Sequence, residues 1–218
     1  MPRSRLTRHE MQAKTRRLLM EAAGKVCSKR GLQQASIDEV AETAGFTKGA
    51  FYANFRNKEE LFLSMLDERF GERLRELDEL GREDGEPVSV ARQAGFDIAR
   101  HMAADPEWNR LFFEFAAYAA RNPEFRTELI TRYRTLQQRI ADVYRRAAGD
   151  LGGPLPVSIE HIALMSFAMV NGIALEQLLE PEAVPEDMYA TLLTIFVTGL
   201  RTLASEQAQA TPASAAPR

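Results

Sequence analysis

Apolar residues recur at helical spacing along nearly the whole chain, and no stretch shows the strict alternation of a half-buried strand. The signals are densest in residues 36–58, SIDEVAETAGFTKGAFYANFRNK. There Ile37, Val40, Ala41 and Ala44 make one stripe behind Ser36, whose side chain suits a helix N-cap. Gly45 ends this helix, because glycine takes a positive φ without a Cβ penalty, and Phe46 follows as the hydrophobic contact of such a cap. Thr47 caps the next helix, in which Phe51 and Phe55 share one face while Lys48 and Tyr52 share another. The pattern predicts a helix-turn-helix with one core face and one outward face.

Residues 15–29 predict a helix before it, with Leu18, Leu19, Ala22, Ala23, Val26 and Cys27 on one stripe and Gly31 as its stop. After it, Leu61, Phe62, Met65, Leu66, Phe70, Leu74 and Leu77 continue for about five turns, too long for a three-helix head. The acidic segment 81–87, GREDGEP, is the clearest break. Four more helical patterns follow, separated at Asp105-Pro106, Asn122-Pro123, 149–156 and 180–185, with prolines where helices can begin. The expected fold class is all-α: an N-terminal three-helix helix-turn-helix domain plus a C-terminal helical domain. Its divisions are a basic arm at 1–10, the head at 11–57, the body at 58–206 and a disordered tail at 207–218.

Within the body, residues 111–120 (LFFEFAAYAA) are apolar nearly all round and predict a helix buried on several sides. Residues 159–179 and 188–203 predict two mostly apolar helices. One presents Ile162, Ser166, Met169, Val170 and Ile173; the other presents Leu192, Ile195, Phe196, Gly199, Leu200 and Leu203. Both have more apolar surface than one neighbour covers, and Ala168, Gly172 and Gly199 permit close approach. This predicts a twofold dimer interface built as a four-helix bundle.

The formal net charge of −3 is unevenly spread. Residues 1–58 hold 12 Lys and Arg against 5 Asp and Glu, a net of +7, while residues 59–218 hold 16 against 26, a net of −10. All five lysines fall in the first part. A cationic head on an acidic body is the distribution of a nucleic-acid reader in which one domain meets the polyanion. The chain opens on a polar, basic arm, and its apolar runs fall short of the ~20 residues of a membrane span, so a cytoplasmic, membrane-free protein is expected. One cysteine, Cys27, excludes an intrachain disulfide. His9, His101 and His161 stand in no ligand or triad spacing, and no phosphate loop or dinucleotide fingerprint is present. The expectation is therefore no catalytic residues, no cofactor and no metal. Glu114, alone among apolar neighbours, is expected to face a polar effector or an arginine such as Arg110 or Arg121. The arginines at 132, 134, 139, 145 and 146 read as a solvated face.

The outward face of the helix-turn-helix has the chemistry a duplex needs. Lys48 suits a phosphate or a base edge, and the hydroxyls of Thr47 and Tyr52 suit phosphate oxygens. Gly49 and Ala50 keep the first turn slim, and Asn57 and Lys58 open a further helix whose N-terminal amides attract anions. In this stretch the chain resembles the DNA-binding domain of TetR-type bacterial regulators. The matching residues are Ser36-Ile37, Val40-Ala41, residues 44–49, Phe51-Tyr52, Asn54-Phe55 and residues 58–61, in that order and spacing. Phe46 stands where the family more often has valine, and Asn54 where it often has histidine.

The resemblance implies a homodimeric repressor on a double-stranded DNA operator, with Thr15, Arg16, Ser36, Thr47, Lys48, Gly49, Ala50, Tyr52, Asn54 and Lys58 at the DNA. It also implies a small-molecule effector held among the middle helices, where Phe96, Trp108, Phe112, Glu114, Phe115, Tyr133, Met165, Met169 and Asn171 are the candidates. Spacing alone favours a solid core there. An activator of the same fold, or an effector-binding or enzymatic bundle with a vestigial head, are the competing readings.

Overall fold

A computed structural model describes residues 7–82 and 85–210, and among these every α or 3-10 element is helical, with no strand. In order they are α1 (Arg8–Arg30), α2 (Ile37–Thr43), α3 (Lys48–Tyr52), α4 (Lys58–Leu80), α5 (Pro87–Ala104), α6 (Pro106–Arg121), α7 (Pro123–Ala147), α8 (Ile159–Leu179) and α9 (Met188–Ala210). Short 3-10 turns at Ala148–Leu151 and Pro181–Ala183 precede α8 and α9. Five helices, not four, therefore follow the acidic loop, since each of the four breaks separates two of them.

Local chemistry explains the boundaries. α1 starts at Arg8, seven residues before the expected start at residue 15, because Thr7 and Glu10 form a reciprocal capping box. Residues 7–10 of the expected arm are thus cap and helix, and α9 runs into the expected tail as far as Ala210. Residues 1–6 and 211–218, where the rest of those two expectations falls, lie outside the described residues. Pro87, Pro106 and Pro123 each open a helix, where a missing amide proton costs nothing. Gly45 closes α2 at φ 75°, with Gly45 N–H donating to Glu42 and Phe46 N–H to Ala41 at 2.8 Å, the doubly bonded glycine cap that the sequence predicts. A Cβ there would meet nothing within 4 Å, so the backbone angle alone requires glycine.

The chain divides into two compact units, Met1–Gly71 with Glu107–Arg132, and Glu72–Pro106 with Tyr133–Arg218. In the first, Leu19, Ala23, Phe51, Phe55, Leu61, Phe62, Leu66 and Phe115 are buried almost completely. Phe115 of α6 lies against Phe62 of α4 at 5.8 Å between ring centroids and against Phe125 of α7 at 6.2 Å. α6 buries one stripe, Leu111, Phe115 and Ala119, while Ala116, Ala117 and Ala120 are exposed. It is not buried all round: Phe112, Phe113 and Tyr118 are half-buried, and the exposed apolar positions are small alanines that solvent tolerates.

In the second unit α5 packs along α9 over Ala94, Ile98, Tyr189 and Leu193. The helices approach so closely at Gly95 that a Cβ would lie 2.3 Å from the Cα of Ala190. α8 turns Ile162, Ala163, Ser166 and Ala174 inward. Ile162 and Ser166, expected at a dimer contact, are therefore core residues; the outward stripe of α8 is Leu164, Met165, Ala168, Gly172, Leu175 and Leu179. On α9 the outward stripe contains Ile195, Gly199 and Leu203, with Leu192 and Phe196 half-buried beside it, whereas Leu200, expected on the same face, is buried. Ile173 is half-buried too, against the α5 and α9 core. α8 and residues 188–209 are long and apolar enough to cross a membrane by length and composition, contrary to expectation. That is weak evidence, since a soluble helix with one face in a core and another against a partner passes the same test.

Candidate nucleic-acid interface

Two short helices and one turn position the outward residues. The Ser36 hydroxyl accepts the Glu39 amide at 3.1 Å and the Thr47 hydroxyl accepts the Ala50 amide at 3.3 Å, so each helix is started by its own cap. Phe51 and Phe55 are buried and pack on each other at 5.6 Å, which fixes the rotation of α3 about its axis. That rotation leaves Tyr52 51% exposed and Lys48, Gly49 and Thr47 on the surface, with Ala50 half-buried. The tyrosine ring makes a T-shaped contact with Phe51, which anchors its body while half of the residue stays exposed. Lys48 Nζ is 2.9 Å from a carboxylate oxygen of Asp38 in α2, which raises the lysine pKa through that hydrogen bond and its charge. Asp38 was not anticipated as part of this surface. Its signal in the sequence is only a first-turn acid that suits the helix dipole.

Other predicted DNA residues have structural work instead. The Lys58 ammonium donates to three carbonyl oxygens of the turn between α1 and α2, those of Leu32, Gln33 and Ala35, at 3.3, 3.1 and 3.2 Å. With its three protons engaged there, Lys58 holds the turn. The adjoining N-terminus of α4 is likewise capped, with Asn57 Oδ1 accepting the Glu60 amide. Arg16 is drawn inward: its guanidinium donates to the Asn54 carbonyl and the Ser64 hydroxyl, both at 2.6 Å, and lies 4.1 Å above the Phe55 ring. It ties α1 to the end of α3 and to α4. Asn54 turns its amide nitrogen back to Ala50 at 2.8 Å, and its Oδ1 is buried. Thr15, half-exposed, bonds back to Met11.

The candidate effector residues are split between the two units. In the first, Glu114 is half-buried, and its Oε2 accepts the Leu32 amide at 2.6 Å, fastening α6 to the same turn that Lys58 holds. Phe115 is fully buried between Phe62, Trp108 and Phe125. Trp108 carries the Arg69 guanidinium at 5.2 Å, and Phe112 meets Phe70 at 6.3 Å. Tyr118, not anticipated, donates to Glu59 at 2.7 Å and ties α6 to α4. Burial beside Glu114 pushes the Cys27 thiol up to about 12, so it is inert near neutral pH.

In the second unit Phe96 is 37% exposed under the Arg92 guanidinium, and Met165 lies on the outward stripe of α8, neither of them enclosed. Tyr133 packs edge-on against Phe167, and its phenol is raised by burial. Met169 is half-buried, and Asn171 donates to the Phe167 carbonyl one turn back at 2.9 Å. Arg132, in the first unit, is no solvated residue either, since it holds Asp67 and Glu128 together.

A glycine-capped helix pair that turns a lysine and a tyrosine outward from a cationic head is a helix-turn-helix DNA reader. Residues 19–65 match the model of the tetR family of bacterial regulatory proteins, and residues 97–202 match that of the BetI-type transcriptional repressor C-terminal domain. Together the two matches span well over half of the chain. The transcriptional regulator TtgR of Pseudomonas putida is 28% identical over 193 residues, covering 83% of this chain and 87% of the relative. The transcriptional repressor AcnR of Corynebacterium diphtheriae is 26% identical over 156 residues, covering 68% and 74%. Among solved structures, a transcriptional regulator from Rhodococcus superposes with a TM-score of 0.71 at 25% identity, covering 87% of this chain and 97% of that one. The chain belongs to the tetR family and is a DNA-binding transcriptional regulator.

Proposed function

We propose that the protein is a cytoplasmic, non-enzymatic, homodimeric repressor that leaves its operator when a small molecule binds the helical body. The observation that carries the reading is the rotation of α3, which buries Phe51 and Phe55 while Lys48 and Tyr52 face outward. Two copies of α3 enter successive major grooves of a pseudo-palindromic operator, about 34 Å apart. Thr47, Lys48, Gly49, Ala50 and Tyr52 meet the duplex, with Thr15 and Ser36 at the flanking phosphates. Arg16, Asn54 and Lys58 hold the reading helix and its supporting turn in place. The description of the matched C-terminal model and the name of the AcnR relative both favour repression over activation.

Dimerisation uses the outward stripes of α8 and α9. Leu175, Leu179, Ile195 and Leu203 are 39%, 71%, 67% and 47% exposed, an apolar area that a lone soluble chain rarely carries. Gly172 and Gly199 have nothing within 4 Å of where a Cβ would stand, which lets a second copy come close. An effector shifts the population toward dimers whose heads no longer match the operator, by no more than its differential affinity for the two states. The test is a mobility-shift titration on the DNA upstream of the gene: Lys48→Ala or Tyr52→Ala loses specific binding while sedimentation and thermal melting stay as in the parent. Unchanged operator affinity in both variants sinks the assignment.

A further inference from the structure

The lysine that the proposed function gives to the DNA is already occupied. Both carboxylate oxygens of Asp38 lie at hydrogen-bonding distance from Lys48 Nζ, Oδ1 at 2.9 Å and Oδ2 at 3.0 Å. The two side chains are 55% and 66% exposed, so the pair stands on the surface of the helix-turn-helix and buttresses no core. The next acid of α2, Glu39, is engaged elsewhere, with Arg30 at 3.2 Å. Asp38 is the carboxylate that the turn at Gly45 brings over the first turn of α3.

We propose that Asp38 is an affinity-setting residue, an intramolecular competitor that holds Lys48 until an oxygen or nitrogen acceptor of the duplex displaces it. The inference rests on the reading of Lys48 as a DNA contact. An exposed ion pair contributes little to folding, because water and salt already solvate both partners. Beside a polyanion the same pair matters more. A free lysine that meets a phosphate releases a counterion from the DNA, and that release drives much of the binding. A lysine that must first leave Asp38 exchanges one anionic partner for another and strands a carboxylate in the field of the DNA. The carboxylate then recruits a cation, which cancels the release. Every sequence is penalised alike, so Asp38 lowers affinity and the salt response while leaving base preference untouched.

The test uses the full-length chain with Asp38→Asn, Lys48→Ala and the double variant. Fluorescence anisotropy is read on two probes, a duplex of random sequence and a duplex enriched from a random pool by the parent protein. Asp38→Asn is expected to bind both probes about threefold more tightly and to steepen the log–log salt slope by roughly 0.9. Both effects disappear when Lys48 is alanine. An equal gain in the Lys48→Ala background would make Asp38 a general repeller of phosphate and overturn the competitor role. A loss of affinity in Asp38→Asn would make it a positioning residue for Lys48, again overturning the proposal. If Lys48→Ala weakens binding and Asp38→Asn does nothing, this inference alone falls. If Lys48→Ala leaves both affinities unchanged, the DNA contact itself fails and the inference goes with it. Thermal melts of each variant separate these outcomes from loss of α2, whose first turn Asp38 also favours.

Discussion

The turn between α1 and α2 and the outward face of α8 and α9 solve opposite problems. The turn is short of regular structure, and its backbone groups are met by side chains: Lys58 donates to three carbonyls and Glu114 accepts the Leu32 amide. The long helices satisfy their own backbones and leave an apolar stripe exposed among the described residues. One region uses charge to complete itself within a single copy. The other, on the function proposed above, is completed by a second copy. Charged residues near a short-helix head are therefore poor guides to ligand contact, and apolar residues on a long helix are poor guides to the core.

The comparison breaks most visibly at the apolar stripe. Ile195→Asp places a carboxylate in the proposed dimer contact, where desolvation is expected to weaken self-association at least about a hundredfold. Sedimentation velocity reads this as a shift to monomer with an unchanged helical spectrum. At the turn, Lys58→Met removes the donor from three carbonyls and is expected to cost about 2 kcal/mol in chemical denaturation. Glu114→Ala leaves the Leu32 amide without its acceptor and is expected to cost about 1 kcal/mol, with faster hydrogen exchange at that amide. Glu114→Gln keeps an acceptor oxygen and should recover most of the loss. If Glu114→Ala changes effector response but neither stability nor exchange, the counter-ion reading returns.

A further effect is alkaline. Burial raises the phenols of Tyr144 and Tyr189 to about 12, and burial with the Glu59 carboxylate does the same for Tyr118. Between about pH 10 and 12 the folded chain keeps protons that the unfolded chain releases, so stability is full below pH 10 and falls as pH rises through that window. Thermal melts across it, with phenolate absorbance as the second readout, check the sign.

Much of this was legible in the sequence because local chemistry decided it. Ser36 and Thr47 cap amides three residues on through their hydroxyls, Gly45 supplies a positive φ, and Phe51 with Phe55 set the face by spacing alone. What escaped the sequence depends on partners far along the chain. Lys58 and Glu114 look like a DNA ligand and an effector counter-ion until the fold brings both to the turn after Gly31, 25 and 82 residues from their respective partners Gln33 and Leu32. The face of α8 was misread by a fraction of a turn, because a helix apolar on two sides has no polar stripe to fix its rotation. Ile162 and Ser166, expected at the dimer contact, lie in the core.

Cys27, sealed in the first unit with its thiol held protonated, has a practical consequence. The native chain can serve as a silent background for probe chemistry. A single engineered thiol at position 52, where Tyr52 stands exposed on α3, would take a maleimide spin label or dye alone. Pulsed dipolar distances between two such labels in a dimer would measure how far apart the reading helices stand with and without a bound small molecule.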